Sequence, residues 1–377
     1  MNVVSFFSGA GGLDLGFALA GHNILWANDF DEEAVNSYNE NIGKYLNHKA
    51  ILQDVVELLD TTEENINILL PDCDLIIGGF PCQGFTIANL ERSMEDSRNF
   101  LYLQLLKAIS VKQPPFFLLE NVKGLENIEG GKILPMIMDD LQEAGTSKSK
   151  FFPKDSNPGY TVSYNVLNAL YFGVPENRER VIILGIRNDI LDSTPIRKFV
   201  DFERKEKKYD FRKRLIIPYT HSREGKPDDK KPYEIVNKLY EDFISGQIVP
   251  SKVQVSELLK TKTVRDAIED LPLDFDETIL NHIGSKCKVK INNTIGNRAT
   301  NWDKEAPTIM GRGSGTGGPL IPPHPNLHRR LTVREVGRIQ TFPDKFFFCG
   351  SNSCGYRQIG NAVPVLMAFN IAKIFNE

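Results

Sequence analysis

The first 187 residues alternate strand-like and helix-like segments, and this alternation constrains the fold more than any other feature of the chain. Short runs rich in β-branched and aromatic residues are followed by longer amphipathic runs. Such connections place parallel strands in one sheet with helices on both of its faces. Ligands of these sheets bind where the strands end. The sequence therefore predicts an α/β fold with a mostly parallel sheet.

The positions of these segments give six strands and eight helices. The strands are predicted at 3–7, 23–27, 74–77, 115–119, 161–167 and 181–186. The helices are predicted at 13–20, 31–41, 100–110, 133–144, 233–245, 263–271 and 332–340, and a last one follows Pro364. Glu335 stands three residues after Thr332, which is the spacing of a capping box at a helix start.

Composition indicates a cytosolic globular protein. Charged residues make up 25% of the 377 residues and hydrophobic residues 41%, which is ordinary for soluble domains. We expect no membrane partner, because no apolar stretch approaches the length of a bilayer span and the start has no basic segment typical of a signal peptide. The five cysteines (73, 82, 287, 349 and 354) are odd in number and widely spaced. This pattern predicts neither a disulfide framework nor a metal site.

The pattern changes after residue 187. Residues 188–302 are rich in charge, and residues 310–325 are rich in Gly and Pro, as in a hinge or loop. The net charge of the chain is −4, yet residues 195–231 hold 13 Lys or Arg against 7 Asp or Glu. A local excess of this kind is typical of a solvated surface or of a surface that contacts phosphates, and composition alone favours neither.

Glycines separate the first strand from the first helix in the stretch FFSGAGGLDLGF. Gly9, Gly11 and Gly12 allow a tight turn and the close approach of a ligand to the backbone. Asp14 stands where a dinucleotide-binding turn has its third glycine, and an acidic side chain there suits a ligand that carries positive charge. The alternative is a plain glycine turn beside an exposed aspartate.

Two residues at the end of the second strand also indicate a ligand. Asp29 follows Gly9 by 20 residues, where a carboxylate can hold ribose hydroxyls. The adjacent Phe30 offers a ring on which a purine can stack. Together with the glycine turn they predict a cofactor that contains a nucleoside and lacks a phosphate.

Reactive side chains follow two further strands. Cys82 lies in the turn GGFPCQGFT, and it is either a nucleophile, which requires a nearby positive charge or base, or a small buried residue. Glu120 ends the apolar run FFLLE. Burial there raises the pKa of a carboxyl group towards the range of a proton donor, whereas a helix cap or a surface carboxylate is the alternative.

Arg178 and Arg180 begin another strand. Residues two apart on a strand face the same side, and a pair of arginines suits a phosphate or a carbonyl oxygen. An ion-pair cluster with Glu176 and Glu179 is the alternative.

Taken in order, these segments resemble the DNA (cytosine-5)-methyltransferase family. The matching motifs cover roughly residues 1–187 and 304–377. They are the glycine turn at 7–12, Pro-Cys-Gln at 81–83, Glu-Asn-Val at 120–122, Arg-Glu-Arg at 178–180, RRLTVREVGRIQTFPD at 329–344 and YRQIGNAVP at 356–364. The resemblance implies a Rossmann-like S-adenosylmethionine-dependent methyltransferase fold with a smaller target-recognition domain.

The resemblance also implies a reaction. Cys82 attacks carbon 6 of a cytosine that is flipped out of the duplex, and carbon 5 then accepts the methyl group of S-adenosylmethionine. Glu120 contacts the ring nitrogen and the amino group of that base. Arg180 holds its carbonyl oxygen, and Arg178 holds the nearby backbone. Residues 84–99 form a mobile loop that closes over the base.

The cofactor site is likewise implied by the resemblance. Asp29 binds the ribose, Phe30 the adenine face and Asp54 the adenine amino group. The final helix packs beside the first strand and completes this site. The remaining cofactor-binding residues are Phe7, Gly9, Gly11, Gly12, Leu13, Val55, Pro81, Leu101, Asn361 and Ala362.

Four residues depart from the common family pattern. Phe30 replaces a tryptophan and keeps an aromatic face, and Thr86 replaces a serine and keeps a hydroxyl group. Ala362 stands where a serine is frequent. Glu176 replaces a glutamine, loses an amide donor and adds negative charge near the arginines.

The resemblance divides the chain into a catalytic and cofactor-binding domain at 1–187 and 329–377 and a target-recognition domain with its hinge at 188–328. It implies double-stranded DNA as the partner, contacted through phosphates and base edges. A chain of this length resembles bacterial restriction-modification methyltransferases, so we expect a monomer in the bacterial cytoplasm and a restriction endonuclease with the same target.

Three other interpretations compete with this one. A methyltransferase acting on RNA cytosine is disfavoured because an RNA-directed relative is expected to have a smaller insert. A non-catalytic DNA-binding protein of the same fold is disfavoured by the intact Cys82, Glu120 and Arg180. A nicotinamide-dependent oxidoreductase is disfavoured by the missing third glycine and by the Pro-Cys-Gln segment.

Overall fold

The computed structural model describes residues 1–81, 101–201, 213–254, 257–284, 289, 291, 297, 300–311, 320–326 and 329–377. The predicted nucleophile Cys82, the predicted mobile loop at 84–99 and residues 312–319 of the segment rich in Gly and Pro lie outside the described residues.

The described strands, numbered along the chain, form one large sheet and two small ones. They are β1 (Asn2–Phe6), β2 (Asn23–Asp29), β3 (Ile51–Leu52), β4 (Leu75–Gly79), β5 (Phe116–Val122), β6 (Tyr160–Asn168), β7 (Glu176–Asn177), β8 (Glu179–Arg187), β9 (Val200–Asp201), β10 (Lys213–Leu215), β11 (His221–Ser222), β12 (Leu259–Lys260) and β13 (Ala306–Pro307).

The described α-helices lie between and after these strands. They are α1 (Gly12–Leu19), α2 (Glu32–Asn41), α3 (Val55–Leu59), α4 (Glu63–Leu69), α5 (Tyr102–Lys112), α6 (Ile133–Gln142), α7 (Pro232–Ile244), α8 (Val264–Ile268), α9 (Val333–Ile339), α10 (Asn352–Asn361) and α11 (Val365–Ala372). Short 3-10 helices occur at Gly43–Tyr45, Lys123–Gly131, Ala169–Phe172, Pro195–Phe199 and Lys373–Asn376.

The large sheet has nine strands in the order β3-β2-β1-β4-β5-β8-β6-β10-β9. The strands β1 to β5 are parallel to one another, whereas β8 runs antiparallel to both of its neighbours, β5 and β6. The predicted mostly parallel sheet is confirmed. Because β1, β2, β4 and β5 end at the same edge, the residues that follow them are brought together there.

Each central strand sends alternate side chains to opposite faces of the sheet, and both faces are buried. Val3, Leu75 and Ile77 belong to one hydrophobic cluster, while Val4 and Ile76 belong to the other. This double burial explains why the strands read as continuous apolar runs in the sequence.

The final helix packs against the first one, so the two chain ends build one layer. A Cβ atom added to Gly16 of α1 would lie 2.3 Å from the Cβ of Ala368 in α11. His22 Nε2 donates to the carbonyl oxygen of Ala372 at 3.0 Å. The glycine permits this close helix contact, which places the segment before α11 beside the glycine turn.

Local capping signals set several helix starts. Asp31 accepts a hydrogen bond from the N–H of Ala34 and caps α2. Thr332 accepts from the N–H of Glu335, and Glu335 accepts from the N–H of Thr332 at 2.7 Å, which confirms the predicted capping box of α9. These bonds satisfy N–H groups that have no partner within the helix.

The large sheet continues past residue 187, since β10 pairs with β6 and β9 pairs with β10. The rest of the charge-rich region contains α7, α8 and the two-stranded sheet of β11 and β12. The segment β13 returns from this region and pairs in parallel with β7.

One described helical stretch, Asn352–Asn376, is long and apolar enough to pass a composition test for a membrane span, with a mean hydropathy of 1.2. The sequence analysis expected no apolar stretch of this length. The stretch arises because α10, α11 and the last 3-10 helix follow one another without a long break. Of this window 78% is buried, which is the environment of a core helix.

Candidate active site and cofactor face

A buried ion pair lies where β5 ends and β8 begins. Arg180 Nε is 2.8 Å from Glu120 Oε1, and both residues are 8% exposed. The antiparallel register sets Arg180 opposite Val122, two residues beyond Glu120. Burial raises the pKa of Glu120, and the positive charges of Arg180 and Arg178 oppose this rise. A carboxyl group held in this way can exchange a proton with a substrate.

The ion pair abuts the residues that lead into Pro-Cys-Gln. A Cβ atom added to Gly79 would lie 2.8 Å from Glu120 Oε2. Asn121 Nδ2 donates to the carbonyl oxygen of Phe80 at 2.8 Å. The chain therefore passes directly beside Glu120 just before it reaches Cys82, whose own position lies outside the described residues.

The glycine turn presents one open position. Gly9 has a φ of 55°, and an added Cβ atom would meet no heavy atom within 4 Å. At Gly12 an added Cβ would lie 2.4 Å from the carbonyl oxygen of Val363. Gly11, Gly12 and Leu13 are buried, so the open space of the turn lies over Gly9.

Phe7 has a φ of 55° although it is not a glycine. A non-glycine residue in this left-handed region costs about 1–3 kcal/mol and is frequent at ligand sites. Its ring is partly buried at the end of β1. The strained turn therefore begins at Phe7, which is the first of the predicted cofactor-binding residues along the chain.

Asp29 connects the glycine turn to the turn that follows β2. Its Oδ2 accepts a hydrogen bond from the N–H of Gly9 at 2.8 Å, and its Oδ1 accepts from the N–H of Asp31 at 2.9 Å. Burial raises the pKa of this carboxyl group, and the backbone donors oppose the rise. Phe30 is 63% exposed, so its ring is available to a planar ligand beside the carboxylate.

The structure distributes the other predicted cofactor residues around the same edge. Asp54 is exposed and caps α3 by accepting from the N–H of Val56 at 2.8 Å. Pro81, Leu101 and Ala362 are partly exposed, Asn361 is exposed and Val55 is buried. An open glycine, a carboxylate and an exposed ring fit the adenosine part of S-adenosylmethionine.

Asp14 does not lie on this ligand face. It is 0% exposed, and Tyr38 Oη donates to its Oδ1 at 3.4 Å. Burial raises the pKa of Asp14 to about 7. The interpretation of Asp14 as an acidic group that suits a positively charged ligand is therefore wrong, because α1 turns the side chain inward.

The arginines at 178 and 180 have separate surroundings. Arg178 is 0% exposed and donates to main-chain carbonyl oxygens of Ile309, Gly360 and Ala362. Arg178 therefore holds nearby main chain of the protein itself, and no part of its side chain reaches solvent. Arg180 alone faces Glu120.

An ion pair that the sequence reasoning missed lies behind Phe30. Arg357 Nη2 is 2.9 Å from Asp31 Oδ2 and 3.5 Å from Glu33 Oε2. It joins α10 to the turn after β2. The only available signal was the position of Arg357 inside the motif YRQIGNAVP.

Many basic residues of the 195–231 stretch are engaged in ion pairs within the described part of the chain. Lys231, for example, is 3.0 Å from Glu269 and 3.3 Å from Asp266. The other pairs are Arg197–Asp192, Lys198–Glu377, Arg223–Glu305 and Lys226–Glu257. The described ranges contain no group of three or more His, Cys, Asp or Glu that could hold a metal ion.

The strand order, the strained glycine turn after β1 and the carboxylate that ends β2 define a Rossmann-like methyltransferase of the S-adenosylmethionine-dependent class. The family description C-5 cytosine-specific DNA methylase matches residues 1–376. The chain belongs to this family, and it is a DNA (cytosine-5)-methyltransferase.

Similar proteins agree with this assignment. The chain is 33% identical over 382 residues to the Type II methyltransferase M.NgoFVII of Neisseria gonorrhoeae, covering 100% of this chain and 87% of the relative. It is 32% identical to the Type II methyltransferase M.BsuRI of Bacillus subtilis, covering 99% and 78%.

Solved structures share the fold at lower identity. The S. pombe Dnmt2 methyltransferase is 18% identical, with a TM-score of 0.57 and coverage of 100% and 98%. A DNMT2 mutant from Spodoptera frugiperda is 17% identical, with a TM-score of 0.60 and coverage of 100% and 99%.

Proposed function

We propose that this chain methylates carbon 5 of a cytosine that is flipped out of a short specific sequence in double-stranded DNA. The methyl donor is S-adenosylmethionine, and Cys82 forms a transient covalent bond to the base. The observation that carries the proposal is the buried pair of Glu120 and Arg180 packed against Gly79, three residues before Cys82.

The residues divide the reaction among them. The thiolate of Cys82 attacks carbon 6 of the cytosine, the new S–C bond forms, and electron density moves to carbon 5. Glu120 hydrogen bonds to the ring nitrogen and the amino group, and Arg180 donates to the carbonyl oxygen of the base. Carbon 5 would then accept the methyl group as the bond from that group to the cofactor sulfur breaks. Loss of the proton from carbon 5 to water would re-form the double bond, break the S–C bond to carbon 6 and release the thiolate.

The cofactor, when bound, supplies an electrophilic methyl group. The residues that hold it lie along the carboxyl ends of β1, β2 and β4. Asp29 accepts from the ribose hydroxyls, Phe30 stacks on the adenine and Asp54 accepts from the adenine amino group. The rest of the pocket is lined by Phe7, Gly9, Gly11, Gly12, Leu13, Val55, Pro81, Leu101, Asn361 and Ala362.

The domain arrangement follows the same proposal. Residues 1–187 and 329–377 form the catalytic and cofactor-binding domain, and residues 188–328 form the target-recognition domain and hinge. The strands β9 and β10 extend the sheet of the catalytic domain, so we place the DNA-reading surface after them. The basic residues of this region supply phosphate contacts, which give affinity without sequence preference.

The names of the similar proteins suggest the biological setting. Several relatives are described as Type II methyltransferases. We propose that this chain is the modification enzyme of a restriction-modification system, acts as a monomer in the bacterial cytoplasm and shares its target sequence with a restriction endonuclease.

The test is methyl transfer from labelled S-adenosylmethionine to mixed-sequence duplex DNA, with the product mapped by bisulfite sequencing. The wild type should label cytosine at one short site. Cys82→Ala should show no transfer, and the matched control Cys73→Ala should retain it. Burial raises the pKa of Cys73 to about 12, so its thiol stays protonated at neutral pH.

Trapping on duplex DNA that contains 5-fluorocytosine separates the nucleophile from a binding role. A stalled adduct forms with the wild type and not with Cys82→Ala if the thiol attacks carbon 6. Transfer to RNA in place of DNA would replace the proposal with an RNA-directed enzyme. DNA binding without transfer to either substrate would leave a non-catalytic binder.

A further inference from the structure

Arg178 is buried among main-chain carbonyl groups from distant parts of the chain. Its Nη1 donates to Ile309 at 2.9 Å, and its Nη2 donates to Gly360 and Ala362 at 2.8 Å each. Gly360 and Ala362, the two residues bound by Nη2, stand on either side of Asn361. A single guanidinium group therefore holds the peptide units that flank a proposed cofactor residue.

Glu176 binds the other main-chain polar group of Ile309. It is 0% exposed, and its Oε1 accepts the N–H of Ile309 at 2.7 Å. The same oxygen lies 3.6 Å from Arg178 Nη1. Both main-chain polar groups of Ile309 are thus bound by this acid–base pair, and the charges of the two side chains compensate each other in a buried site.

The segment at 306–309 is also hydrogen-bonded to β7, the strand that contains Glu176. Ala306 is in register with Glu176 in the β7–β13 pairing. The N–H of Ala306 donates to the carbonyl oxygen of Pro175 at 2.9 Å. Thr308 Oγ1 donates to the carbonyl oxygen of Asn177 at 2.6 Å. The segment that returns from the charge-rich region at 188–302 therefore has four consecutive residues fixed here.

The returning segment and the Asn361 turn are in backbone contact. A Cβ atom added to Gly360 would lie 2.2 Å from the N of Gly311, and one added to Gly311 would lie 2.2 Å from Asn361 Oδ1. Because the two segments touch through glycines, a shift of one segment displaces the main chain of the other. Beyond this contact, Val363 packs on Gly12 of the glycine turn, so a shift would reach the cofactor face.

We propose that Arg178 and Glu176 are positioning residues that join residues 306–309, which belong to the proposed recognition domain and hinge, to the turn that carries Asn361. The pair sets the cofactor-facing geometry of this turn and couples cofactor affinity to DNA engagement. This inference rests on the proposed function in one respect, which is that Asn361 faces S-adenosylmethionine.

The experiment compares full-length Arg178→Lys with Arg180→Lys. A lysine has a single ammonium group and cannot reproduce three bonds in the geometry of a fork. The dissociation constant for labelled S-adenosylmethionine is measured by equilibrium dialysis with and without duplex DNA, and kcat and KM are measured for both substrates. Arg178→Lys should weaken cofactor binding in the absence of DNA by roughly 10- to 100-fold. It should also bring the ratio of the two dissociation constants close to one.

Arg180→Lys should behave differently, because Arg180 bonds to Glu120 and to the main chain of Glu179 and makes no bond to the Asn361 turn. We expect it to leave cofactor affinity within roughly twofold and to lower kcat instead. An unchanged cofactor affinity in Arg178→Lys, with only the KM for DNA raised, would overturn the proposal and assign Arg178 to DNA.

Hydrogen–deuterium exchange provides a readout that does not depend on the cofactor. Peptides spanning 304–311 and 357–363 should exchange faster in Arg178→Lys than in wild type, and at the wild-type rate in Arg180→Lys. Failure of the wild type to bind S-adenosylmethionine would refute the cofactor assignment alone. Unchanged exchange of both peptides in Arg178→Lys would refute the proposal that Arg178 connects the two segments.

Glu176→Gln covers the case in which Arg178→Lys does not fold. The amide oxygen still accepts from Ile309, while the compensating charge beside Arg178 is lost. We expect faster exchange at 304–311 and roughly two- to fivefold weaker cofactor binding. Exchange and binding both at the wild-type level in this variant would contradict the proposal.

Discussion

Arg180 Nε lies 2.8 Å from Glu120 Oε1 across the antiparallel pair of β5 and β8. Each residue is 8% exposed, so the pair has lost most of its solvation. Burying two charges is costly unless they compensate each other and make further bonds. Buried charged groups cluster at sites where they act on a substrate, and Gly79, three residues before Cys82, lies against this pair.

Glu120→Gln should lower the rate of methyl transfer roughly 10²- to 10⁴-fold. The amide has nearly the same shape, but it cannot give or take the proton that the carboxyl group exchanges with the base. Single-turnover transfer from labelled S-adenosylmethionine measures the effect on chemistry. Cofactor affinity should stay within roughly twofold, because Glu120 is not among the cofactor residues.

The matched control is Glu179→Gln. Glu179 stands between the two arginines in sequence but pairs with Lys123 at 2.9 Å on the surface, where its side chain is 41% exposed. We expect its activity to stay close to that of the wild type, since surface ion pairs contribute little. Equal losses in the two variants would mean that negative charge near the arginines in general, and not the carboxyl group of Glu120 itself, supports the reaction.

Much of the sheet follows from the sequence because its strands are buried on both faces. Runs such as 74–77 and 115–119 have no polar alternation, and the structure forms β4 and β5 there. The direction of β8 does not follow from its apolar run, which looks the same in either direction. The short connection after β6 carries the missing signal, because a parallel crossover requires a dozen or more residues.

The sequence likewise predicts only some features of the candidate site. Glu120 and Arg180 meet because β5 ends where the antiparallel strand β8 begins, and this meeting depends on the direction of β8, which the apolar run does not give. Alternation along β8 also places Arg178 on the side of Arg180. What surrounds Arg178 depends on Ile309 and Gly360, which are 131 and 182 residues away from it. A local pattern contains no information about contacts of that range.

Phe30→Ala should raise the KM for S-adenosylmethionine roughly 5- to 100-fold. A ring stacked on a base contributes about 1–3 kcal/mol, and Phe30 is 63% exposed in the structure, so it has little other packing to lose. Phe30→Trp should restore wild-type or tighter binding because the larger ring keeps the stacking face. Initial rates at varied cofactor concentration measure both variants.

Phe347→Ala is the control for a lost exposed ring. Phe347 is 40% exposed and lies near the far end of α2, where its N–H donates to Asn41 at 2.7 Å. We expect its KM for the cofactor to match that of the wild type. If Phe30→Ala binds the cofactor normally, the adenine does not stack on Phe30.

Gly360→Ala should destabilise the protein by about 1–3 kcal/mol. The added methyl group would lie 2.2 Å from the main-chain N of Gly311, and a side-chain rotation cannot relieve a clash with backbone. Urea unfolding measures the change. Gly124→Ala serves for comparison, because its Cβ would meet only Val122 Cγ2 at 3.9 Å, and a loss of similar size there would remove the steric explanation.

Asp14→Asn should change the pH dependence of stability. Burial raises the pKa of Asp14 from 3.8 to about 7, so the folded state binds this proton more tightly than the unfolded state. Below pH 3.8 the carboxyl group is neutral in both states and no penalty applies. As the pH rises from there to about 7, the unfolded state ionises first and the wild type loses stability, after which the penalty is constant.

The asparagine variant has no such proton to lose. Its free energy of unfolding relative to the wild type should therefore rise between pH 4 and pH 7 and then level off, with a total change of about 1–4 kcal/mol. Urea unfolding at pH 4.5, 6 and 8.5 measures this difference. Asp155→Asn, which removes an exposed carboxyl group, should show a difference from wild type that is flat with pH. A flat difference for Asp14→Asn as well would mean that the buried carboxyl group ionises as easily in the folded state as in water.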